Sequence, residues 1–251
     1  MPLEVVNGLT FHVQELGSGP PVVLIHGLLL GNLASWYLTV APALARTHRV
    51  LLYDLRGHGL SQRTSDGYTL AAMAADLEGL CARFDSAPVA LVGHSYGGLV
   101  ALRFAIDHPE RVARLALIDM PLPPSRAEEV ARFVSQDPAT MLESLPVRVR
   151  HALVRPGRRR SPLLETVAAL VGETSLVRDV AAEPDVPDAM LSRVACPVLC
   201  VYGEESSCRP VADRLASLIP AARTAVIPGG HWLPFESPGP LTSCLAEFLG
   251  G

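Results

Sequence analysis

Apolar residues in this chain fall into short unbroken runs separated by stretches of helical period. The runs at 22–26, 50–54, 89–93, 115–119, 198–202 and 224–227 are only four or five residues long. They are continuous rather than alternating, the pattern of strands buried on both faces of a parallel sheet. Between them, 70–84, 99–108 and 210–218 carry apolar residues at helical spacing. Alternation of the two patterns predicts an α/β fold, a mainly parallel sheet covered by helices. Residues Leu9–Leu16 are expected to add an antiparallel edge strand ahead of the first run.

The rhythm breaks after Asp119. From 120 to 193 no run of strand quality occurs; amphipathic stretches at 126–135 and 162–171 stand among proline, glycine and charge. The expected organisation is a core of residues 1–119 and 194–251 interrupted by a helical insertion at 120–193. An insertion there would lie beside the carboxyl ends of the strands, where open α/β sheets bind ligands.

Composition narrows the function classes. The chain has 251 residues, 49% of them hydrophobic and 18% charged, enough for one domain with a sizeable core. A formal net charge of −4 carries no general footprint for nucleic acid or membrane, and neither is expected as a partner. No apolar run approaches the roughly 20 residues of a membrane span, and the N-terminus lacks the pattern of a secretory leader, so a cytoplasmic protein is expected. The cysteines Cys81, Cys196, Cys200, Cys208 and Cys244 are odd in number and scattered, which favours buried free thiols over a disulfide framework. All 21 basic residues are arginine; the one cluster, RPGRRR at 155–160, is either a solvated loop or a docking patch for an anionic partner.

The strongest chemical signal is VALVGHSYGG, residues 89–98. Gly93-His94-Ser95-Tyr96-Gly97 matches G-x-S-x-G between a strand run and a helical pattern. A strand turning sharply into a helix exposes the Ser95 hydroxyl at the helix N-terminus, where backbone N–H groups favour developing negative charge. Upstream, His26-Gly27 closes a strand, and the amides of Leu28 and Tyr96 are expected to form a two-donor oxyanion hole. His26 itself is expected to be structural. Near the C-terminus, PGGHWLPFESP places His231 on a loop after the last strand, as the base a serine nucleophile needs. No metal or organic cofactor is implied, since no glycine-rich phosphate loop or independent ligand cluster is present.

Together HG at 26–27, DLRGHGLS at 54–61, GHSYGG at 93–98 and GGHWLPFESP resemble the α/β-hydrolase family over nearly the whole chain. The resemblance implies about eight strands with helices on both faces, and makes 120–193 a helical cap inserted after the sixth strand. It also implies that Asp54, Arg56 and His58 lie in a mainly structural turn.

One family feature is missing. In most relatives a carboxylate follows the strand equivalent to 198–202; here VYGEESSCRP offers Ser206 at that place. Three arrangements remain open: Asp119, at the end of the preceding strand, supplies the acid, as the resemblance implies for certain haloalkane dehalogenases; Glu204 or Glu205 reaches the histidine; or no carboxylate does. Ser95 excludes dehalogenase chemistry, which needs an aspartate nucleophile. The expected function is a serine hydrolase of an ester or thioester with an apolar acyl part, the substrate being free or carrier-bound. The alternatives are a lyase or cyclase using Ser95 and His231 for proton transfer, and a non-catalytic small-molecule binder.

Overall fold

The first hairpin is set by its turn. Strands β1 (Leu3–Val6) and β2 (Leu9–Leu16) pair antiparallel through Asn7-Gly8, both with positive φ. Asn-Gly is the commonest two-residue turn that matches strand twist. Leu9–Leu16 is therefore antiparallel as expected but is not the edge. β1 lies outside it, and β1 is too short and too exposed to give the continuous apolar run used to find strands.

The computed structural model describes residues 2–84, 87–122, 138–143, 145–147, 150–151 and 162–250. The expected helix at 126–135 and the arginine run at 155–160 lie outside these residues. After the hairpin come β3 (Pro21–Ile25), β4 (Arg49–Tyr53), β5 (Val89–His94), β6 (Val112–Ile118), β7 (Val198–Gly203) and β8 (Ala222–Ile227). They form one eight-stranded sheet in the order β1-β2-β4-β3-β5-β6-β7-β8, parallel from β4 to β8. No described helix is long and apolar enough to cross a membrane.

Successive side chains of a strand point to opposite faces, so a continuous apolar run feeds two cores. Val22 and Leu24 of β3 enter one apolar cluster, and Val23 and Ile25 the other. Helices α1 (Ala34–Tyr37) and α2 (Ala41–Leu44) cover the first face, joined by the C-terminal helix at Pro238–Gly250. Helices α3 (Leu70–Cys81), α4 (Tyr96–Asp107) and the helix at Val211–Leu218 cover the second. The Thr69 side chain caps α3 by accepting from the Ala72 N–H at 3.2 Å. Between β6 and β7 the described residues form α5 (Pro138–Glu143), α6 (Pro162–Glu173), α7 (Leu176–Ala181) and α8 (Asp188–Leu191). The chain then returns to the sheet and adds α9 (Val211–Leu218), α10 (Leu233–Glu236) and α11 (Pro238–Gly250).

Strand order reverses around β3, whose neighbours are β4 and β5. Connections leave the carboxyl ends of β3 and β5 in opposite directions, opening the crevice where such sheets bind ligands. The turn after β4 braces one wall of that crevice. The Asp54 carboxylate accepts from His12 Nδ1 (2.8 Å), the Leu33 N–H (2.7 Å) and the Leu60 N–H (2.9 Å). A Cβ at Gly59 would fall 2.1 Å from that carboxylate, so only glycine fits there. The His58 ring donates from Nδ1 to the Arg56 carbonyl (2.9 Å) and accepts the Leu29 N–H at Nε2 (2.8 Å). Likewise His26 donates to the Gly27 carbonyl (2.8 Å) and accepts from the Leu55 N–H (3.0 Å). Burial holds both rings neutral and pushes His58 down to about 3, with His26 adding to the effect. His26 and the 54–61 turn are thus structural.

Arg56 anchors this turn to α3. Its guanidinium grips Asp76 through two bonds, Nε to Oδ2 and Nη2 to Oδ1, each 2.7 Å, with both side chains buried. Asp76→Ala would leave a buried guanidinium without its anion. Unfolding free energy is expected to drop by about 3–5 kcal/mol, read from urea denaturation. A drop below about 1 kcal/mol, the size of an exposed pair, would refute this account of the turn.

Candidate active site

Ser95 stands between β5 and α4 with φ 54° and ψ −125°, a conformation that non-glycine residues rarely adopt. The flanking glycines make the turn possible. A Cβ at Gly93 would meet the Gly97 carbonyl oxygen at 2.3 Å, and one at Gly97 the His26 and Ile25 carbonyl oxygens at 2.4 and 2.6 Å. Two backbone bonds hold the strained residue, Ser95 N–H to the Ile118 carbonyl (2.9 Å) and Gly98 N–H to the Ser95 carbonyl (2.8 Å). Helix α4 begins at Tyr96, one residue later than the serine and three earlier than the apolar periodicity indicated.

The loop after β3 lies against this elbow. A Cβ at Gly27 would come 3.2 Å from Ser95 Cβ and 3.2 Å from His94 Nδ1. Leu29 takes φ 63°, and the Leu30 N–H bonds back to the Leu28 carbonyl at 2.8 Å. The bond from the Leu29 N–H to His58 secures that tight turn. Gly27 thus lies against the serine, and Leu28, next in the chain, is half-buried. Tyr96, the first residue of α4, has an N–H outside the helical ladder.

Asp119 follows β6 with φ 45° and is fully buried. Its N–H bonds the Val201 carbonyl at 2.7 Å, which carries it toward the end of β7. Carboxylate Oδ1 accepts the Gly203 N–H (3.0 Å); Oδ2 accepts the Ser206 hydroxyl (2.5 Å) and His231 Nδ1–H (2.7 Å). Burial by itself would raise the Asp119 pKa, but the bonds from His231, Ser206 and Gly203 outweigh it and hold the group ionised below the ordinary carboxylate value. The opposite edge of the imidazole completes a chain, with His231 Nε2 2.9 Å from Ser95 Oγ. With Nδ1–H facing a carboxylate, Nε2 is the acceptor for the serine hydroxyl. Burial disfavours the His231 cation, yet the hydrogen bond to Asp119, then Cys208 and the Asp119 charge, prevail and raise its pKa above the ordinary value.

The structure thus brings Ser95, His231 and Asp119 together. Glu204 and Glu205, the other carboxylates considered, are exposed. The Ser206 hydroxyl bonds Asp119 rather than the imidazole, and it accepts the Cys208 N–H at 3.0 Å.

Three further residues position the histidine, and none was singled out from the sequence. Glu236 Oε2 accepts the N–H groups of both Gly230 and Trp232 at 3.0 Å, bracketing His231. His94 Nε2 donates to the His231 carbonyl at 2.7 Å. Gly203 allows close approach, because a Cβ there would meet the Gly229 and Gly230 carbonyl oxygens at 2.3 Å. A carboxylate five residues after a loop histidine is a signal that could have found Glu236; the other two contacts depend on strands distant in sequence.

Comparison with known proteins agrees with this architecture. A family model described as the alpha/beta hydrolase fold matches residues 20–152. The chain is 39% identical over 117 residues to the soluble epoxide hydrolase of Corynebacterium sp. (strain C12), an alignment spanning 46% of this chain and 40% of that protein. With that relative the chain thus shares less than half of the relative's length. It is 30% identical to the magnesium-chelatase 30 kDa subunit of Rhodobacter capsulatus over 93% of this chain and 88% of that one. Among solved structures, the thermophilic esterase from Thermogutta terrifontis superposes with a TM-score of 0.78 at 28% identity, covering 99% of this chain and 96% of the other. By sequence and by fold, the chain belongs to the α/β hydrolase family.

Proposed function

We propose that this chain is a serine hydrolase that cleaves a carboxylic ester or thioester with an apolar acyl part through an acyl-enzyme. The observation that carries the proposal is the unbroken chain from Asp119 Oδ2 to His231 Nδ1 (2.7 Å) and from His231 Nε2 to Ser95 Oγ (2.9 Å). A relative named as an esterase, alike over nearly the full length, supports the same chemistry.

In this mechanism His231 takes the Ser95 proton as the hydroxyl oxygen attacks the acyl carbonyl. The Leu28 and Tyr96 amides donate to the oxyanion, aided by the N-terminus of α4. The imidazolium, stabilised by Asp119, then protonates the leaving alcohol or thiol. Water repeats the cycle with His231 as base, and the acid and free Ser95 are released. The helices between β6 and β7 act as a cap. The leucines and valines along those helices favour an apolar substrate. A carrier-bound thioester would give the arginine run at 155–160 a partner; Arg158→Glu with Arg159→Glu should then slow the carrier-bound substrate and spare a small ester. Equal rates on both substrates would remove the carrier from the proposal.

The decisive experiment is steady-state hydrolysis of an activated short-chain ester. Ser95→Ala is expected to reduce kcat by about 10⁶ and Asp119→Asn by about 10⁴. Ser206→Ala keeps the carboxylate but loses a donor to it, and should fall between Asp119→Asn and wild type. An Asp119→Asn enzyme as fast as wild type would eliminate Asp119 as the acid. Oxygen from ¹⁸O-labelled water must appear in the acid product; its absence would point to elimination instead.

The pH profile tests the electrostatics. Only neutral His231 accepts the serine proton, and its pKa is raised, so activity should rise with pH through a midpoint above the ordinary 6.5. Removing the Asp119 charge withdraws support from the imidazolium, so the residual activity of Asp119→Asn should titrate at lower pH. A midpoint unchanged between the two would contradict the coupling.

A further inference from the structure

Of the five thiols, three are inert core groups: burial pushes Cys81 and Cys200 up to about 12 and Cys196 to about 11. Cys208 is placed differently. Its sulfur lies 3.8 Å from His231 Nδ1, and the sulfur, that nitrogen and an Asp119 carboxylate oxygen all fall within 4.8 Å of one another. Among the described residues this is the only such trio of metal-ligating atoms.

We propose that Cys208, His231 and Asp119 form an inhibitory site for a borderline-soft divalent cation, with Zn²⁺ the best match. This rests on His231 acting as the general base. Thiolate, imidazole and carboxylate are the donor types that Zn²⁺ prefers, with Zn–S near 2.3 Å and Zn–N near 2.0–2.1 Å. A tetrahedral ion then sets its sulfur and nitrogen ligands roughly 3.6 Å apart, close to the 3.8 Å observed. The Nδ1–carboxylate separation of 2.7 Å must open by roughly half an ångström, as expected when the bridging proton leaves. The two donor sets are exclusive, since Nδ1 cannot hold both a proton and a metal.

The consequence for catalysis follows from proton balance. Starting from the neutral ring, coordination releases the thiol proton to solvent, while the ring proton moves from Nδ1 to Nε2. Nε2 then presents N–H to Ser95 and has no lone pair to accept the hydroxyl proton. The ion occupies the ring edge opposite Ser95, away from the acyl group, so it should lower kcat without displacing substrate. Cys208 provides the selectivity: imidazole and carboxylate alone make a weaker site for this ion than the same pair with a thiolate.

The test uses the full chain in chelator-free buffer, wild type against Cys208→Ala, each compared with its own metal-free rate. Zn²⁺ should lower wild-type kcat with KM little changed and EDTA should restore it. Cys208→Ala should require at least about tenfold more Zn²⁺ for the same fractional loss. Equal sensitivity of the two proteins, or a rise in KM alone, would overturn the proposal. Co²⁺ provides a readout free of turnover: a thiolate-to-metal charge-transfer band should appear in wild type and in Ser95→Ala, and be absent from Cys208→Ala. A wild-type protein without that band has no such site, whether or not it hydrolyses esters. A protein that shows the band but turns over no ester keeps the metal site and loses the hydrolase proposal instead.

Discussion

The Asp119 carboxylate is the group around which this end of the molecule is organised. A fully buried charge is tolerated only if donors surround it. Here they come from two separate stretches of chain: Gly203 and Ser206 at the end of β7 and in the turn that follows, and His231 beyond β8. Each donor is held in turn by its own strand or loop. Burying one anion therefore ties the last three strands together at their carboxyl ends. It also selects the histidine tautomer in which Nε2 is left to face Ser95.

The opposite wall of the crevice depends on neutral histidines rather than a charge. His26 and His58 each donate from Nδ1 and accept at Nε2, so each ring ties two backbone segments together. Protonating either ring would destroy an acceptor, and burial prevents that near neutral pH. The loop bearing Leu28 is thereby clamped beside the Ser95 elbow, whose glycines let the backbone of β3 approach it closely. Strain at Ser95, Leu29 and Asp119 is concentrated at three strand ends, where side chains are re-aimed from the sheet toward the crevice.

Strands β6 and β7 are parallel neighbours, so a carboxylate at the end of either lies near the same histidine. Their register pairs Ile118 with Val201, so Asp119 emerges level with Tyr202 and reaches the same histidine. Ser206 occupies the polar corner beyond β7. Its hydroxyl donates to the Asp119 carboxylate, and its oxygen accepts from the Cys208 amide, which brings a thiol beside the imidazole.

The α/β class, the parallel strands, the flanking helices and the elbow serine were legible in the sequence, because each depends on local period or local sterics. Unbroken apolar runs identify strands with two buried faces, and glycines on either side of Ser95 identify a turn that no other residue permits. The Asn7-Gly8 turn carries a hairpin signal that a search for apolar runs passes over, because β1 itself is too exposed to register as a strand. The histidine at 231 was legible as one candidate on a terminal loop. Which carboxylate faces it was not: Asp119, Glu204 and Glu205 are all strand-end acids in sequence, and only the 0% exposure of Asp119 and its pairing across β6 and β7 separate them. The bracing by Glu236 and His94, the bond from Ser206 and the approach of Cys208 were likewise decided by tertiary structure. These contacts join residues from β5 to α10, and their energies depend on burial and distance, which appear only when the sheet brings the strand ends together.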